Sequence, residues 1–204
     1  MELHDALLHI HEIRAQLART QTFRGYRSLT VGLTGLIAIG AGLVQAVCIP
    51  RPQEQIAGYL WLWVSAAALS VVVAASEMAL RCRRDASLSQ SRVTWLAAEQ
   101  FLPCLFAGGL LTAALYATGP DNLWMLPGLW AIVFSLGVFA SWRLLPRPTF
   151  WIGAFYLIAG GACLLWARGE FAFTPWAMIG TFGGGQLLAA AILYYTLERK
   201  HEPV

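Results

Sequence analysis

Five polar side chains interrupt otherwise apolar stretches of this chain, and any chemistry within those stretches depends on them. They are two glutamates and three glutamines: Glu77, Glu99, Gln100, Gln186 and Gln45. A charge at the centre of a bilayer costs on the order of 3 kcal/mol unless it has a partner. Such residues therefore indicate either a path for protons or substrate, or hydrogen bonds between helices.

Both glutamates have candidate partners. Glu77 precedes Arg81 by four residues, a spacing at which the two side chains form an ion pair on one helix face. Glu99 lies about one turn into the third apolar segment, where the positive end of a helix favours a carboxylate. Arg143 ends the fourth segment at the same predicted level, so we expect a Glu99–Arg143 pair beside Gln100. A proton relay through these acids is the alternative interpretation.

Gln186 is the deepest of the five polar groups and follows a glycine-rich stretch. Gly180 and Gly184 have the GxxxG spacing that permits close helix approach, with Gln186 bonded to a neighbouring helix. The alternative is a weakened helix that exposes backbone carbonyls, as in the broken helices of transporters. Two further pairs of small residues are candidate close-packing positions: Gly108 with Thr112, and Gly137 with Ser141.

Ligands for a metal or cofactor are missing from the apolar segments. His4, His9, His11 and Glu12 lie near the N-terminus, and we interpret them as the solvated face of an amphipathic helix. No apolar segment contains a histidine, so a buried bis-histidine haem has no ligands. The four cysteines form no CxxC or Cys/His cluster. We predict no metal site, no cofactor and no catalytic residue.

Six apolar segments must position these side chains. Charged residues are only 12% of the 204 residues and hydrophobic residues are 58%, far from the composition of a soluble domain. Each segment has about the length that a helix needs to cross a bilayer. They are Leu29–Ile49, Ile56–Leu80, Trp95–Ala117, Leu123–Trp142, Phe150–Trp166 and Pro175–Leu197. We predict an all-α, polytopic integral membrane protein with six transmembrane helices.

Positive charge predicts the orientation of the bundle. Twelve of the 14 Arg and Lys residues lie in the N-terminus, the connections after the second and fourth segments, and the C-terminus. Only Arg51 and Arg168 lie in the other connections. Because cytoplasmic segments retain positive charge, both termini are expected in the cytoplasm, with the protein in a bacterial-type inner (plasma) membrane. Aromatic residues at the predicted outer ends, Tyr59 and Trp63 among them, are interpreted as interfacial anchors.

The hydrophilic ends divide the chain into three parts. Residues 1–27 are predicted to be a cytoplasmic amphipathic helix and linker, because apolar residues recur there at helical spacing. That apolar stripe consists of Leu3, Ala6, Leu7, Ile10, Ile13 and Leu17. Residues 28–197 are predicted to form the transmembrane bundle, and residues 198–204 a cytoplasmic tail.

A weak internal similarity suggests a repeat. The stretch from Phe106 to Tyr116 resembles the stretch from Phe182 to Tyr194, allowing gaps. Segments three apart run in opposite directions, so a true repeat would be an inverted 3+3 arrangement. Chance similarity is the alternative, because Gly, Ala and Leu are common in membrane helices.

Two functions are compatible with these patterns. The first is a self-associating or partner-binding membrane subunit with a structural or regulatory role, embedded in the lipid bilayer as a homo-oligomer or as part of a larger complex. The second is a transporter or channel for small molecules or ions, built on the inverted repeat. An enzyme is disfavoured, because no convergent set of catalytic side chains is visible. No nucleic-acid-binding motif is present, so a nucleic acid is not an expected partner.

Overall fold

The computed structural model of the protein describes residues 28–84, 88–142 and 147–198. The predicted amphipathic helix within residues 1–27 lies outside the described residues, and so do Arg143 and the chain from residue 199 onward. The backbone of Arg81 is described but its side chain is not.

Five long helices and a composite sixth span form the bundle. The long helices are α1 (Ser28–Cys48), α2 (Ile56–Arg84), α3 (Leu88–Thr118), α4 (Leu126–Ser141) and α5 (Phe150–Trp166). The sixth span consists of α6 (Pro175–Met178), a π-helical turn (Ile179–Gly183), α7 (Gly184–Leu193) and a second π-helical turn (Tyr194–Glu198). The connections contain 3-10 helices at Pro120–Met125, Arg147–Thr149 and Gly169–Phe173.

The prediction of an all-helical chain with six membrane-length helices is confirmed for the part of the chain that the structure describes. Six helices of 20 to 25 residues are long and apolar enough to cross a membrane. They are Ser28–Cys48, Ile56–Leu80, Glu99–Thr118, Pro120–Ser141, Arg147–Trp166 and Pro175–Thr196. Helices suit hydrocarbon because each satisfies its own backbone N–H and C=O groups.

The six spans pack in two groups of three. In the first helix group, α1 lies between α2 and the sixth span; in the second, α4 lies between α3 and α5. Contact between α2 and α3, and between α5 and the sixth span, is much thinner. Consecutive spans alternate in direction, so connections 49–55, 119–125 and 167–174 lie at one end, which we call the predicted outer end.

Two clusters of buried side chains join the helix groups. The cluster at the predicted outer end includes Ala41, Tyr59, Trp63, Leu126 and Phe173. The other cluster lies towards the opposite end and includes Val31, Ala131, Tyr156 and Ala189. Each cluster takes residues from at least four elements, so the packing is continuous from one helix group to the other.

The interpretation of Tyr59 and Trp63 as interfacial anchors is wrong. Both side chains are buried in the core, with 0% and 5% of their surface exposed. The ring of Tyr59 packs on Phe173, and both side chains belong to the cluster at the predicted outer end instead of meeting lipid headgroups. Trp61 lies between them in sequence and is 75% exposed, as an anchor would be.

The backbones of α4 and α5 approach closely at two glycines. A Cβ atom added at Gly160 would lie 2.7 Å from the carbonyl oxygen of Gly128, and one added at Gly128 would lie 2.9 Å from that of Gly160. No side chain fits at either position without moving a backbone. Small residues are what helix contacts in membranes require, because the attraction comes from close packing.

We expect Gly160→Ala to lower the free energy of unfolding by about 1–3 kcal/mol, because the new methyl group pushes α4 and α5 apart. The matched control is Gly161→Ala, where a Cβ meets no heavy atom of the described residues within 4 Å. That neighbouring change should leave stability the same or raise it, since alanine favours a helix over glycine. Thermal unfolding in one detergent measures both; equal midpoints would contradict the close contact.

Candidate functional site

The predicted polar residues of α2 and α3 do not converge inside the bundle. Glu99 and Gln100 are exposed on α3, and Glu77 is half-buried on α2. Glu77 takes part in an interaction within the protein. Because the Arg81 side chain and Arg143 lie outside the described residues, the Glu77–Arg81 and Glu99–Arg143 pairs stay predictions.

The placement of Glu99 near a helix N-terminus is wrong. Helix α3 begins at Leu88, so Glu99 lies 11 residues beyond that end, about three turns into the helix. The favourable effect of a helix dipole on a carboxylate is confined to the first turn. Glu99 therefore receives no such stabilisation.

Gln186 faces α5 from the sixth span. Its side chain lies near the hydroxyl of Tyr156, which is fully buried. The same hydroxyl lies 3.5 Å from the carbonyl oxygen of Phe182 and donates to it. This polar contact crosses the thin junction between α5 and the sixth span, where a hydrogen bond adds attraction that packing alone does not supply.

The glycine-rich stretch before Gln186 stays helical but changes its winding. Ile179–Gly183 forms a π-helical turn, a feature often found at functional sites. A Cβ added at Gly185 would lie 2.6 Å from the Tyr156 hydroxyl oxygen, so this glycine makes room for the tyrosine. Gly183 is similarly close to Ile39 of α1.

Gly180 and Gly184 lie on a different side of the sixth span from these contacts. A Cβ at either position would meet no heavy atom of the described residues within 4 Å. The GxxxG spacing is therefore not used between the described helices of one chain. Close packing through Gly180 and Gly184 against another chain stays a prediction.

Of the other predicted small-residue positions, Thr112 and Gly137 lie at the contact between α3 and α4. A Cβ added at Gly108 would meet no heavy atom of the described residues within 4 Å, so Gly108 is not a close-packing position between the described helices. The Trp130 indole donates to the Thr112 hydroxyl at 2.9 Å, and that hydroxyl donates to the carbonyl oxygen of Gly108 at 2.7 Å. A Cβ added at Gly137 would lie 2.7 Å from the ring of Phe101. Ser141 is buried, and its hydroxyl has no hydrogen-bond partner among the described residues.

Aromatic rings fill the space where α3, α4, α5 and the sixth span meet. The ring of Phe134 lies 5.2 Å from Phe101, 4.6 Å from Tyr156 and 6.1 Å from Phe182, measured between ring centroids. Tilted and edge-on contacts of this kind are favourable. This part of the interior is packed with hydrocarbon.

A buried amide at the predicted outer end joins three elements. Gln45 is 0% exposed, and its side-chain nitrogen donates to the carbonyl oxygen of Phe173 at 2.6 Å. The Trp63 indole nitrogen donates to the Gln45 side-chain oxygen at 2.8 Å. Gln45 therefore links α1 to α2 and to the 167–174 connection. We call Gln45, Trp63 and Phe173 the outer amide network.

The sequence identifies Gln45 as a polar residue within a span but does not indicate its partners. The available signal was one amide in the second half of a long apolar helix, which calls for a hydrogen-bond partner. The partner could not be identified, because one is a backbone carbonyl 128 residues away and the other is a tryptophan interpreted as an anchor.

Tyr59 packs against this network without joining its hydrogen bonds. Its ring meets that of Phe173 edge to face, with centroids 5.2 Å apart. The hydroxyl is buried and has no hydrogen-bond partner among the described residues. An unsatisfied buried hydroxyl costs about 1–3 kcal/mol.

These arrangements hold helices together. In the described part of the chain, no three His, Cys, Asp or Glu side chains lie close enough to hold a metal ion. Cys48, Cys104 and Cys163 are free thiols. Comparison with protein-family models, with curated proteins and with solved structures finds no match to this chain.

Replacing Gln45 with leucine should destabilise the protein strongly. The change leaves the Trp63 N–H and the Phe173 carbonyl unpaired in a buried site, at a cost of roughly 1–3 kcal/mol for each group. Gln100→Leu is the matched control, because Gln100 is exposed. Thermal unfolding of both variants in the same detergent tests this; similar midpoints would count against the network.

A double-mutant cycle isolates the bond between Gln45 and Trp63. Trp63→Phe removes the indole donor, so the loss in the double variant should be smaller than the sum of the two single losses. Additive losses would show that the two side chains do not interact.

Tyr59→Phe should leave stability unchanged or raise it, because it removes a buried hydroxyl that lacks a partner. Tyr156→Phe should lower stability, since that hydroxyl donates to the carbonyl oxygen of Phe182. Unfolding curves of the two variants measure the change in stability caused by each substitution. A clear loss in Tyr59→Phe would mean that its hydroxyl is bonded in the membrane.

Proposed function

We propose that this chain is a non-catalytic subunit of a membrane assembly, formed by copies of itself or with other membrane proteins. One observation supports this most directly: the six spans differ in the share of their residues that is buried. Within an apolar 18-residue stretch of each span, 28–39% of residues are buried for α1, α4, α5 and the sixth span. The share is 11% for α2 and 0% for α3.

This difference matters because lipid tails are as apolar as a helix surface. A helix in a bilayer gains no hydrophobic free energy by leaving lipid for a neighbour, so its position depends on packing and hydrogen bonds. Helix α3 obtains these mainly from α4, and α2 obtains them mainly from α1. Further helices packed against α2 and α3 would supply the missing contacts.

The buried polar groups support the same proposal. Gln45, Thr34, Ser135 and Thr181 are buried, and each donates a hydrogen bond to a backbone carbonyl of the chain. Their donor groups are used within the chain, which supports a structural role for these four side chains. The hydroxyls of Tyr59 and Ser141, in contrast, are buried without a partner among the described residues. The aromatic rings around Phe134 add no polar surface to the interior.

Location and orientation belong to the proposal. We place the protein in a bacterial-type inner membrane with both termini in the cytoplasm, because 12 of 14 cationic residues then lie on the cytoplasmic side. The amphipathic stripe in residues 1–27 would lie on the same side, where it is available to a partner or to the membrane surface.

Gentle extraction from the native membrane followed by native mass measurement tests the proposal. We expect a particle that contains more than one chain of 22.3 kDa, or this chain together with other proteins. A particle with a single copy and only lipid or detergent would overturn it. Repeating the measurement in a second mild detergent guards against dissociation caused by the first.

A transporter is the second candidate, and the order of helix packing favours it. If α1 is exchanged with α4, α2 with α5 and α3 with the sixth span, the packing order of one helix group becomes that of the other. The thin contact between α2 and α3 then corresponds to the thin contact between α5 and the sixth span. That relation is what an inverted 3+3 repeat produces. The π-helical turn beside Gln186 is also a feature found at functional sites.

Ion flux into vesicles tests the second candidate. Purified protein in liposomes with an entrapped pH dye should admit protons faster than empty liposomes, and Glu99→Gln or Gln186→Leu should remove the difference. The control is Gln55→Leu, an exposed residue of the 49–55 connection. Proton entry no faster than in empty liposomes, or unchanged flux in both variants, would rule out a proton pathway through these residues.

A further inference from the structure

The 167–174 connection folds into the bundle at the predicted outer end. Its 3-10 helix has an outward side with Phe171, which is 71% exposed, and an inward side with Ala172 and Phe173, which are 1% and 5% exposed. Phe173 contacts α1 and α2, and the 3-10 helix also contacts α4 and the 119–125 connection. This short segment therefore covers the boundary between the two helix groups.

Two kinds of contact hold Phe173 in this position. The Gln45 side-chain nitrogen donates to the Phe173 carbonyl oxygen at 2.6 Å, and the Tyr59 ring meets the Phe173 ring edge to face. Gln45 is itself oriented by the hydrogen bond that it accepts from Trp63. Because the Gln45 bond ends on a backbone atom, it fixes the main chain of the connection and not only a side chain.

The connection has a point at each end where its backbone can turn. Gly169 has a φ of 62°, a left-handed conformation that glycine adopts without strain. Thr174 is extended, with φ −65° and ψ 141°, and leads into Pro175 at the start of the sixth span. The N–H and hydroxyl of Thr174 both donate to the Phe171 carbonyl oxygen, at 3.3 and 2.9 Å, which makes the segment compact. Loop movements are absorbed by a few terminal residues of this kind.

Polar side chains lie on the inner side of the connection. Cys163 is three residues before the end of α5, and Thr181 is six residues after the start of the sixth span. Both are therefore deeper in the bundle than the segment that joins these helices, and their Sγ and Oγ1 atoms are 3.9 Å apart. The Tyr59 hydroxyl lies near Cys163 and has no hydrogen-bond partner among the described residues.

The unpaired Tyr59 hydroxyl opposes closure of this end of the bundle. A buried hydroxyl without a partner has lost its hydration and has gained no hydrogen bond in exchange. Outward movement of the connection would let water reach the hydroxyl and hydrate it. Burial of Tyr59 therefore favours opening, whereas the bond from Gln45 to Phe173 favours closure.

We propose that the 167–174 connection is an outer gate. In the structure the gate is closed, with Phe173 held by Gln45. Opening moves the connection outward about its two turning points, and water and small polar molecules then reach the Tyr59 hydroxyl and the Cys163 thiol. This inference goes beyond the proposed function, because the gate is independent of whether the chain acts as a subunit or as a transporter.

The labelling rate of Cys163 measures opening of the gate. Purified protein in nanodiscs, with Cys48 and Cys82 replaced by serine, is treated with a positively charged methanethiosulfonate, a reagent whose charge keeps it out of hydrocarbon. Mass spectrometry follows each remaining thiol. Gln45→Leu removes the bond to the Phe173 carbonyl and should raise the Cys163 labelling rate about tenfold or more. Nanodiscs leave both ends of the bundle in water, so the result does not depend on orientation.

Tyr59→Phe should change the labelling rate in the opposite direction. This variant keeps the ring on Phe173 and removes the buried hydroxyl, so Cys163 should be labelled about fivefold more slowly, or slower still. Because the variant is expected to be at least as stable as the unmodified protein, its effect is measurable even if Gln45→Leu fails to fold.

Cys104 is the control thiol within the same molecules. It lies at the contact between α3 and α4, where a Cβ added at Gly137 would be 3.0 Å from its Sγ. General loosening of the bundle would speed labelling of both thiols, whereas gate opening speeds that of Cys163 alone. The matched control variant is Gln55→Leu, at an exposed residue of the outer end, and it should leave both rates unchanged.

The outcomes separate the gate from the subunit proposal. Equally faster labelling of Cys104 and Cys163 in Gln45→Leu would overturn the gate, and so would a Cys163 rate that neither Gln45→Leu nor Tyr59→Phe changes. A single-copy particle from native membranes would overturn the subunit proposal and leave the gate standing.

Discussion

Helices in a bilayer have to be held together without the force that packs soluble proteins. Hydrocarbon on a neighbouring helix is no better a solvent for an apolar side chain than the hydrocarbon of lipid. Stability therefore depends on how closely two backbones approach and on which polar groups find each other. In this chain the first condition is met at Gly128 and Gly160, where α4 and α5 leave no room for a side chain. The second is met by the outer amide network around Gln45.

These two kinds of contact act at different places in the bundle. The outer amide network ties α1, α2 and the 167–174 connection at the predicted outer end. Glycines and rings hold α4, α5 and the sixth span, with Phe134 in contact with Tyr156 and Phe182. Among the described residues, the contacts of helix α3 are fewer: a ring pair, an indole hydrogen bond, the approach at Gly137, and Leu115 packed against the cluster at the predicted outer end. The same rule that explains the well-packed spans therefore makes α3 and α2 the places where additional protein would matter most.

The two candidate functions make different use of the same architecture. Two helix groups with thin junctions are suited to relative movement, which a transporter requires. Yet the junction between α5 and the sixth span is bridged by Tyr156 and Phe182, and its surroundings are filled by aromatic rings. A subunit needs only stable surfaces, and α2 and α3 leave most of theirs uncovered by the described chain. We therefore favour assembly over transport.

The amino-acid sequence by itself determined the six helices, because length and apolar composition are sufficient to specify a helix that satisfies its backbone in hydrocarbon. It also identified the polar residues inside the spans, including Gln45 and Gln186. It could not choose their partners, because those depend on how each helix is rotated and which helix lies beside it. Tyr59 and Trp63 face the core, although their positions near a span end are typical of anchors. Gly183 and Gly185 make the close contacts of the sixth span, although Gly180 and Gly184 have the recognised spacing. Such choices are made by packing between residues far apart in the chain, and only the tertiary structure contains that information.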